Sequence, residues 1–341
     1  MKRLLDLQKK LIPDVLDIMS ERYRILQSVH FLQPIGRRTL SANLGLTERV
    51  LRGEVTFLSN QGLINMSTNG MSLTPDGESL LEALDEIMKD VSGLKQLEKQ
   101  LEKVLGISRV IIVPGDSDVQ PWVKHEMGRA CVAEMENQIK NDSIIAVTGG
   151  TTVAAVADMM HPLKQLNSDL LFVSARGGLG EQVENQSNTI CAKMAEKAEG
   201  RYRMLHVPDQ LSDESYFTLI EEPSIREVLS LIQSATMIVH GIGDARTMAK
   251  RRRSSEKLLQ KIEEENAVAE AFGYYFDQNG KIVHKVKTIG MKLENLYDNK
   301  TLIAVAGGKS KAKAIEAYFK EGPNSILVTD EGATEEILNH S

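Results

Sequence analysis

The residues with the most chemistry to offer sit in four glycine-rich runs, each following a short apolar stretch. Thr148-Gly149-Gly150-Thr151-Thr152 comes directly after Ile144 to Val147 and opens the apolar run VAAVADMM. Glycines let a backbone approach an anion, the first-turn amides of a following helix point at it, and hydroxyls add donors. Ala175-Arg176-Gly177-Gly178-Leu179-Gly180 repeats the pairing of glycine with a cation. So do His240-Gly241-Ile242-Gly243-Asp244, followed by Lys250-Arg251-Arg252-Arg253, and Gly307-Gly308-Lys309-Ser310-Lys311. One such loop is ordinary turn chemistry. Several on one rim describe a pocket for an anionic sugar or a similar small phosphate ester. The Walker pattern is absent, as is a GxGxxG loop opening the first βαβ unit, so neither an NTPase nor a dinucleotide enzyme is favoured.

A second chemistry occupies the amino-terminal part. Glu21 to Thr56 holds six arginines (22, 24, 37, 38, 49 and 52) against three glutamates, a local +3 within a chain of net charge −6. Salt screens beyond about 8 to 10 Å, so the local field decides what this segment meets. Tyr23, Ile25, Leu26, Val29 and Leu32 recur at helical spacing, and Pro34 and Gly36 stop that helix. A short second helix runs through Arg38, Leu40, Ala42 and Leu44, and Gly45 turns the chain. Thr47 is the expected N-cap of a third helix with an apolar face of Val50, Leu51, Val55 and Leu58. That leaves Thr47, Glu48, Arg49 and Arg52 pointing outward, with Arg37 and Arg38 adding phosphate-facing charge, as a recognition helix in a DNA major groove requires. The alternation in LINMSTNGMSLT, with Asn69-Gly70 at the turn, predicts a hairpin in the position of a wing.

These sites need elements to hold them. Residues 1–78 read as a winged helix-turn-helix DNA-binding domain, with no role assigned to the first twenty. Residues 79–106 read as a helical connector: Leu80, Ile87, Leu94 and Leu101 recur every seven residues with Leu84, Val91 and Leu105 beside them, broken at Glu98 and weakened by Gly93. A dimerising helix is the preferred reading, and packing against the chain's own second domain the other. Residues 107–341 read as a mainly parallel α/β domain, with strands expected at Val110–Val113, Ile144–Val147, Leu170–Val173, Met204–Val207, Met237–Val239, Leu302–Ala306 and Ile326–Val328. Ligands in such sheets bind at the carboxyl ends of strands.

Composition agrees with this division. At 341 residues, 42% hydrophobic and 26% charged, the chain fits two globular domains. Cys131 and Cys191 lack metal-ligand spacing, which disfavours a disulfide framework or a zinc site, and no cofactor is expected. No stretch approaches the roughly 20 apolar residues of a membrane span, so a cytoplasmic location is expected.

The order of helix-turn-helix, connector, VTGGTT, ARGG, HGIG, EAFGYYFD and AVAGG resembles the SorC/DeoR-type bacterial transcriptional regulators over nearly the whole chain. Its most specific pieces are IGRRTLSANLGLTERVLRGEV and AEAFGYYF. The resemblance implies a repressor of a glycolytic operon whose effector is fructose 1,6-bisphosphate, with a sensing domain related to sugar-phosphate isomerases and deaminases. It implies oligomers from homodimer to homotetramer on double-stranded operator DNA. Carried over by motif, Gly149, Gly150, Thr151, Thr152 and Arg176 would hold one phosphate with a lysine after Gly308. Arg251 would help hold the other, and Glu270 would face the sugar hydroxyls. Both Lys309 and Lys311 are offered by that loop. The alternative is an isomerase or deaminase with a DNA-binding appendage, for which Glu270, His240 and Asp244 are the candidate acid/base groups.

Overall fold

The computed structural model describes residues 11–140, 142–163, 170–178, 182–208, 211–296, 300–323 and 325–340. It divides into two compact units between Leu97 and Glu98.

The amino-terminal unit begins with α1 (Pro13–Leu32), α2 (Arg37–Leu44) and α3 (Glu48–Asn60), then the hairpin β1 (Ile64–Ser67) and β2 (Gly70–Leu73), then α4 (Pro75–Val91). α1 starts well before Glu21, because Pro13 suits a first helical turn, where its missing N–H costs nothing. Residues 1–10, also without an assigned role, lie outside the described residues. Thr47 caps α3 by accepting from the Val50 amide at 3.3 Å. Ile25, Leu26, Val29, Leu40, Leu51, Val55, Leu58, Ile64 and Met71 form one core beneath the helices and hairpin. Two details differ from expectation. Val50 lies outside this core and is 45% exposed. Ser67 pairs with Gly70, so the two-residue turn is Thr68-Asn69, one position before Asn69-Gly70.

The single helix expected over residues 79–106 is two, α4 and then α5 (Leu94–Leu105). Gly93, at φ +78°, takes a left-handed conformation that stops one helix before the next begins. Within the second unit, Leu101 and Leu105 of α5 are buried. The Glu98 carboxylate accepts from the Ile112 amide at 3.0 Å and Glu102 from the Val110 amide at 3.2 Å. The acid that broke the heptad therefore caps a strand edge, and this end of the seam packs on the chain's own domain.

The carboxy-terminal unit contains β3 (Arg109–Val113), α6 (Val123–Gln138), β4 (Ile144–Val147), α7 (Thr151–Met159), β5 (Leu171–Ser174), α8 (Ser187–Lys197) and β6 (Arg201–Arg203). Next come α9 (Asp213–Glu221), α10 (Pro223–Gln233), β7 (Met237–Gly241), β8 (Gly243–Asp244), α11 (Ala245–Arg251) and α12 (Glu256–Glu264). The chain ends through β9 (Ala267–Ala271), β10 (Tyr274–Asp277), β11 (Ile282–Lys285), β12 (Thr301–Val305), α13 (Ala312–Glu321), β13 (Ile326–Asp330) and α14 (Glu331–His340). Seven strands form one parallel sheet in the order β3-β13-β12-β7-β4-β5-β6. Six expected strands match to within a few residues. The seventh lies at Arg201–Arg203, ahead of Met204–Val207: as an edge strand with exposed side chains it carries no apolar signature. A separate antiparallel sheet, β11-β10-β9-β8, was not expected. Strand order reverses between β4 and β7, since the chain runs outward through β5 and β6 and returns to β7, β12 and β13. That reversal opens a crevice at the carboxyl ends of the central strands.

Candidate functional site

At this crevice the loops after β4, β5, β7 and β12 meet around a cavity of about 770 Å³, including its mouth. Gly149, Gly150, Thr151, Thr152, Arg176, Arg251, Glu270 and Lys311 all line it. Lys309, two residues earlier on the same turn, does not; it is exposed. Leu179 and Gly180 of the arginine loop lie outside the described residues.

The loop after β4 is shaped by contacts the sequence could not show. A Cβ on Gly149 would lie 2.7 Å from the Asn185 carbonyl oxygen, and the Gly150 amide donates to that same oxygen at 2.9 Å. Gly150 itself sits at φ +123°, a region open almost only to glycine. α7 then starts at the cavity wall, where its first-turn amides have no partners within the helix. Thr152 points inward, but its hydroxyl donates to the Val305 carbonyl at 2.8 Å. It fastens α7 to β12 and has no proton left for a ligand.

The cavity floor is a buried ionic cluster. Glu270, on β9, receives hydrogen bonds at one carboxylate oxygen from Arg176 (3.3 Å), Arg252 (2.9 Å) and the Gly273 amide (2.6 Å). Arg252 also donates to the Tyr275 hydroxyl at 3.0 Å. The antiparallel sheet brings Glu270 here by pairing Gly243 with Glu270 directly after β7. Breaking a buried pair of this kind strands a charge, which costs several kcal/mol (about 3–5). Among the described lining residues, four cations (Arg176, Arg251, Arg252 and Lys311) face one carboxylate. Lys311 shows the strain of this excess: burial, then Lys124 and Arg251, pull its pKa down to about 8, against Asp118 and Asp330.

Sequence reasoning missed Asn185, Gln186 and Ser187, which also line the cavity. A polar run ahead of a helix looks like a solvated loop; contacts far apart in the chain tie it to the site, the Asn185 carbonyl accepting from the Gly150 amide and the Ser187 hydroxyl donating to the Val147 carbonyl (2.7 Å).

The candidate acid/base groups are otherwise occupied. His240 is fully buried, and burial lowers its pKa to about 4, so it is neutral at pH 7. Its Nδ1 faces the Gly241 carbonyl at 3.2 Å, which can only accept, so Nε2 is left to accept from the Tyr318 hydroxyl at 3.3 Å. Asp244 caps α11, accepting from the Thr247 amide at 2.8 Å. Glu270 is held by two arginines. Each of the three is committed to a structural contact within the protein. Among the described residues, no cluster of His, Cys, Asp or Glu could hold a metal, and no helix is long and apolar enough to cross a membrane.

In the amino-terminal unit, Arg37, Arg38, Thr47, Glu48, Arg49 and Arg52 are all exposed. Arg49, Val50 and Arg52 lie on the outer side of α3, opposite buried Leu51 and Val55. Arg22 belongs elsewhere: it pairs with Glu54 at 2.7 Å and lies 3.7 Å from the centre of the Phe57 ring.

Fold and site together define a two-part regulator, a DNA-binding unit followed by a sugar-binding α/β unit. The family model described as "Putative sugar-binding domain" matches residues 89–339, and the "CggR N-terminal DNA binding domain" matches residues 18–88. The central glycolytic genes regulator of Priestia megaterium is 57% identical over 340 residues, covering 99% of both chains. That of Bacillus subtilis is 57% identical over 338 residues, again covering 99% of both. A crystal structure of a SorC family transcriptional regulator from Enterococcus faecalis, 48% identical, covers 71% of this chain and 99% of its own at a TM-score of 0.68. The full-length sorbitol operon regulator SorC of Klebsiella pneumoniae shares the fold at 17% identity, TM-score 0.67, with 90% of this chain and 94% of its own covered. The chain belongs to the SorC family of sugar-binding transcriptional regulators, in the branch of the central glycolytic genes regulators. It is a transcriptional regulator and not an enzyme.

Proposed function

We propose that the chain represses glycolytic genes by binding operator DNA as a homodimer or homotetramer, and that fructose 1,6-bisphosphate bound in the cavity weakens that binding. The observation carrying this reading is the excess of cations over carboxylates at the crevice, beside the amino end of α7. A neutral sugar would leave that charge uncompensated, whereas a bisphosphate supplies anions at both ends. The names of the two relatives at 57% identity support the glycolytic target. No cofactor is required.

In this mechanism Gly149 to Thr151 and Lys311 take one phosphate, Arg251 the other, and Glu270 with its two arginines faces the sugar hydroxyls. Ligand and DNA affect one another only through a difference in affinity between two states, typically about 1–3 kcal/mol of coupling. Calorimetric titration with fructose 1,6-bisphosphate, fructose 6-phosphate and inorganic phosphate tests the site. The bisphosphate should bind most tightly, and Arg251→Ala should remove most of its advantage over fructose 6-phosphate. Equal affinity for both sugars in the wild type would overturn the assignment.

A further inference from the structure

The turn carrying Lys311 is held by two aspartates from outside the cavity. Asp330, at the end of β13, is fully buried; one of its carboxylate oxygens accepts from the Gly308 amide at 2.7 Å and the Ser117 amide at 2.8 Å, and the other from the Ala333 amide at 2.9 Å. Asp118, on the segment after β3, accepts from the Ser310 amide at 2.8 Å and the Ser310 hydroxyl at 3.1 Å. Neither aspartate lines the cavity. The fit is close enough to dictate sequence: a Cβ on Gly307 would lie 2.6 Å from Asp330 Oδ2, and one on Gly308 2.5 Å from Asp118 Oδ1. The Lys311 amide then closes the turn on the Gly308 carbonyl at 2.9 Å.

We propose that Asp118 and Asp330 are positioning residues for the anion site, acting through Lys311: their hydrogen bonds set the turn that turns Lys311, and not Lys309, into the cavity. Their negative charge keeps that lysine protonated. The proposal rests on the cavity being the phosphate site. Four charged neighbours act on the Lys311 ammonium through their fields: Lys124 of α6 and Arg251 of α11 repel it, whereas Asp118 and Asp330 favour its charge. Asp118 is exposed and can be changed without opening the core.

The test is a double-mutant cycle of Asp118→Asn and Lys311→Met in the full chain, with fructose 1,6-bisphosphate affinity measured by calorimetry between pH 6.5 and 9.5. Asp118→Asn should weaken binding by about two- to tenfold. It should also move the alkaline loss of affinity to lower pH, because a lysine deprived of a neighbouring anion gives up its proton sooner. In the Lys311→Met background both effects should vanish. Asp330→Asn, with thermal melting as its folding control, should act in the same direction. If Asp118→Asn costs as much without the lysine as with it, or leaves the alkaline limb in place, the positioning role is overturned. If the bisphosphate fails to bind the wild type, the phosphate site itself is refuted and this inference with it.

Discussion

Lys311 and Lys309 stand two residues apart, and only one faces the cavity. Because the Lys311 pKa is already lowered to about 8, the free protein loses that charge as pH rises through this value. A bound phosphate favours the protonated form and raises the pKa. The lysine's contribution to affinity should therefore be full from about pH 7, where the phosphates are largely dianionic, to about pH 8, and fall above it by at most about tenfold per pH unit, with proton uptake on binding. Calorimetry in buffers of differing ionisation enthalpy reads both. On the DNA side, Arg49→Ala and Arg52→Ala should weaken operator binding and leave sugar-phosphate affinity intact. A phosphate-contacting arginine would lower the salt slope by about one, whereas a base-reading one would cost about 1–3 kcal/mol at selected sequences. Some of what was legible at this scale was legible for sound reasons: one glycine beside a cation is ordinary turn chemistry, but four such loops, each after a buried apolar run, have a common use. Arg252 was harder to read, because it lies just past the end of α11, at the helix cap, where helical spacing no longer says which way a side chain points. Within Lys250 to Arg253 the sequence gives no sign that Arg252 is the one buried against Glu270.

Elements show where sequence patterns ran out. The heptad of residues 79–106 was visible, but a heptad reports only that an apolar stripe is covered, not what covers it. Gly93 splits it, and Glu98 and Glu102, one helical turn apart on α5, satisfy alternate outward amides of the edge strand β3. An unpaired edge invites pairing with another chain, and this is one way of blunting it. Replacing both glutamates with alanine should lower stability by about 1–3 kcal/mol, from two amides deprived of charged acceptors, and should promote aggregation on heating. Light scattering during a thermal melt checks this; unchanged melting and scattering would mean the two bonds are incidental. In the amino-terminal unit the Thr47 cap was legible and is found in place. Thr47→Ala should cost about 1 kcal/mol of stability, measured by denaturant unfolding. The antiparallel sheet was not legible, since its tight turn uses Phe272 at φ +53° before Gly273, and no turn rule would place a phenylalanine there.

At the scale of the whole molecule, parallel strands were readable as apolar runs because both sheet faces are covered, and their order was not, because it depends on pairings far apart in the chain. The two units have separable chemistries, and substitutions should separate them too. Arg251→Ala should preserve operator binding and abolish its response to sugar phosphate, the reverse of Arg52→Ala. Loss of DNA binding by both, with lowered melting temperatures, would indicate damage to folding instead. The most direct measurement is fluorescence anisotropy of the wild-type chain on a labelled operator, selected with the purified protein, with and without saturating fructose 1,6-bisphosphate. The account predicts an affinity about 5- to 150-fold weaker with the sugar bound. The same operator affinity in both conditions, with the sugar demonstrably bound, would contradict it.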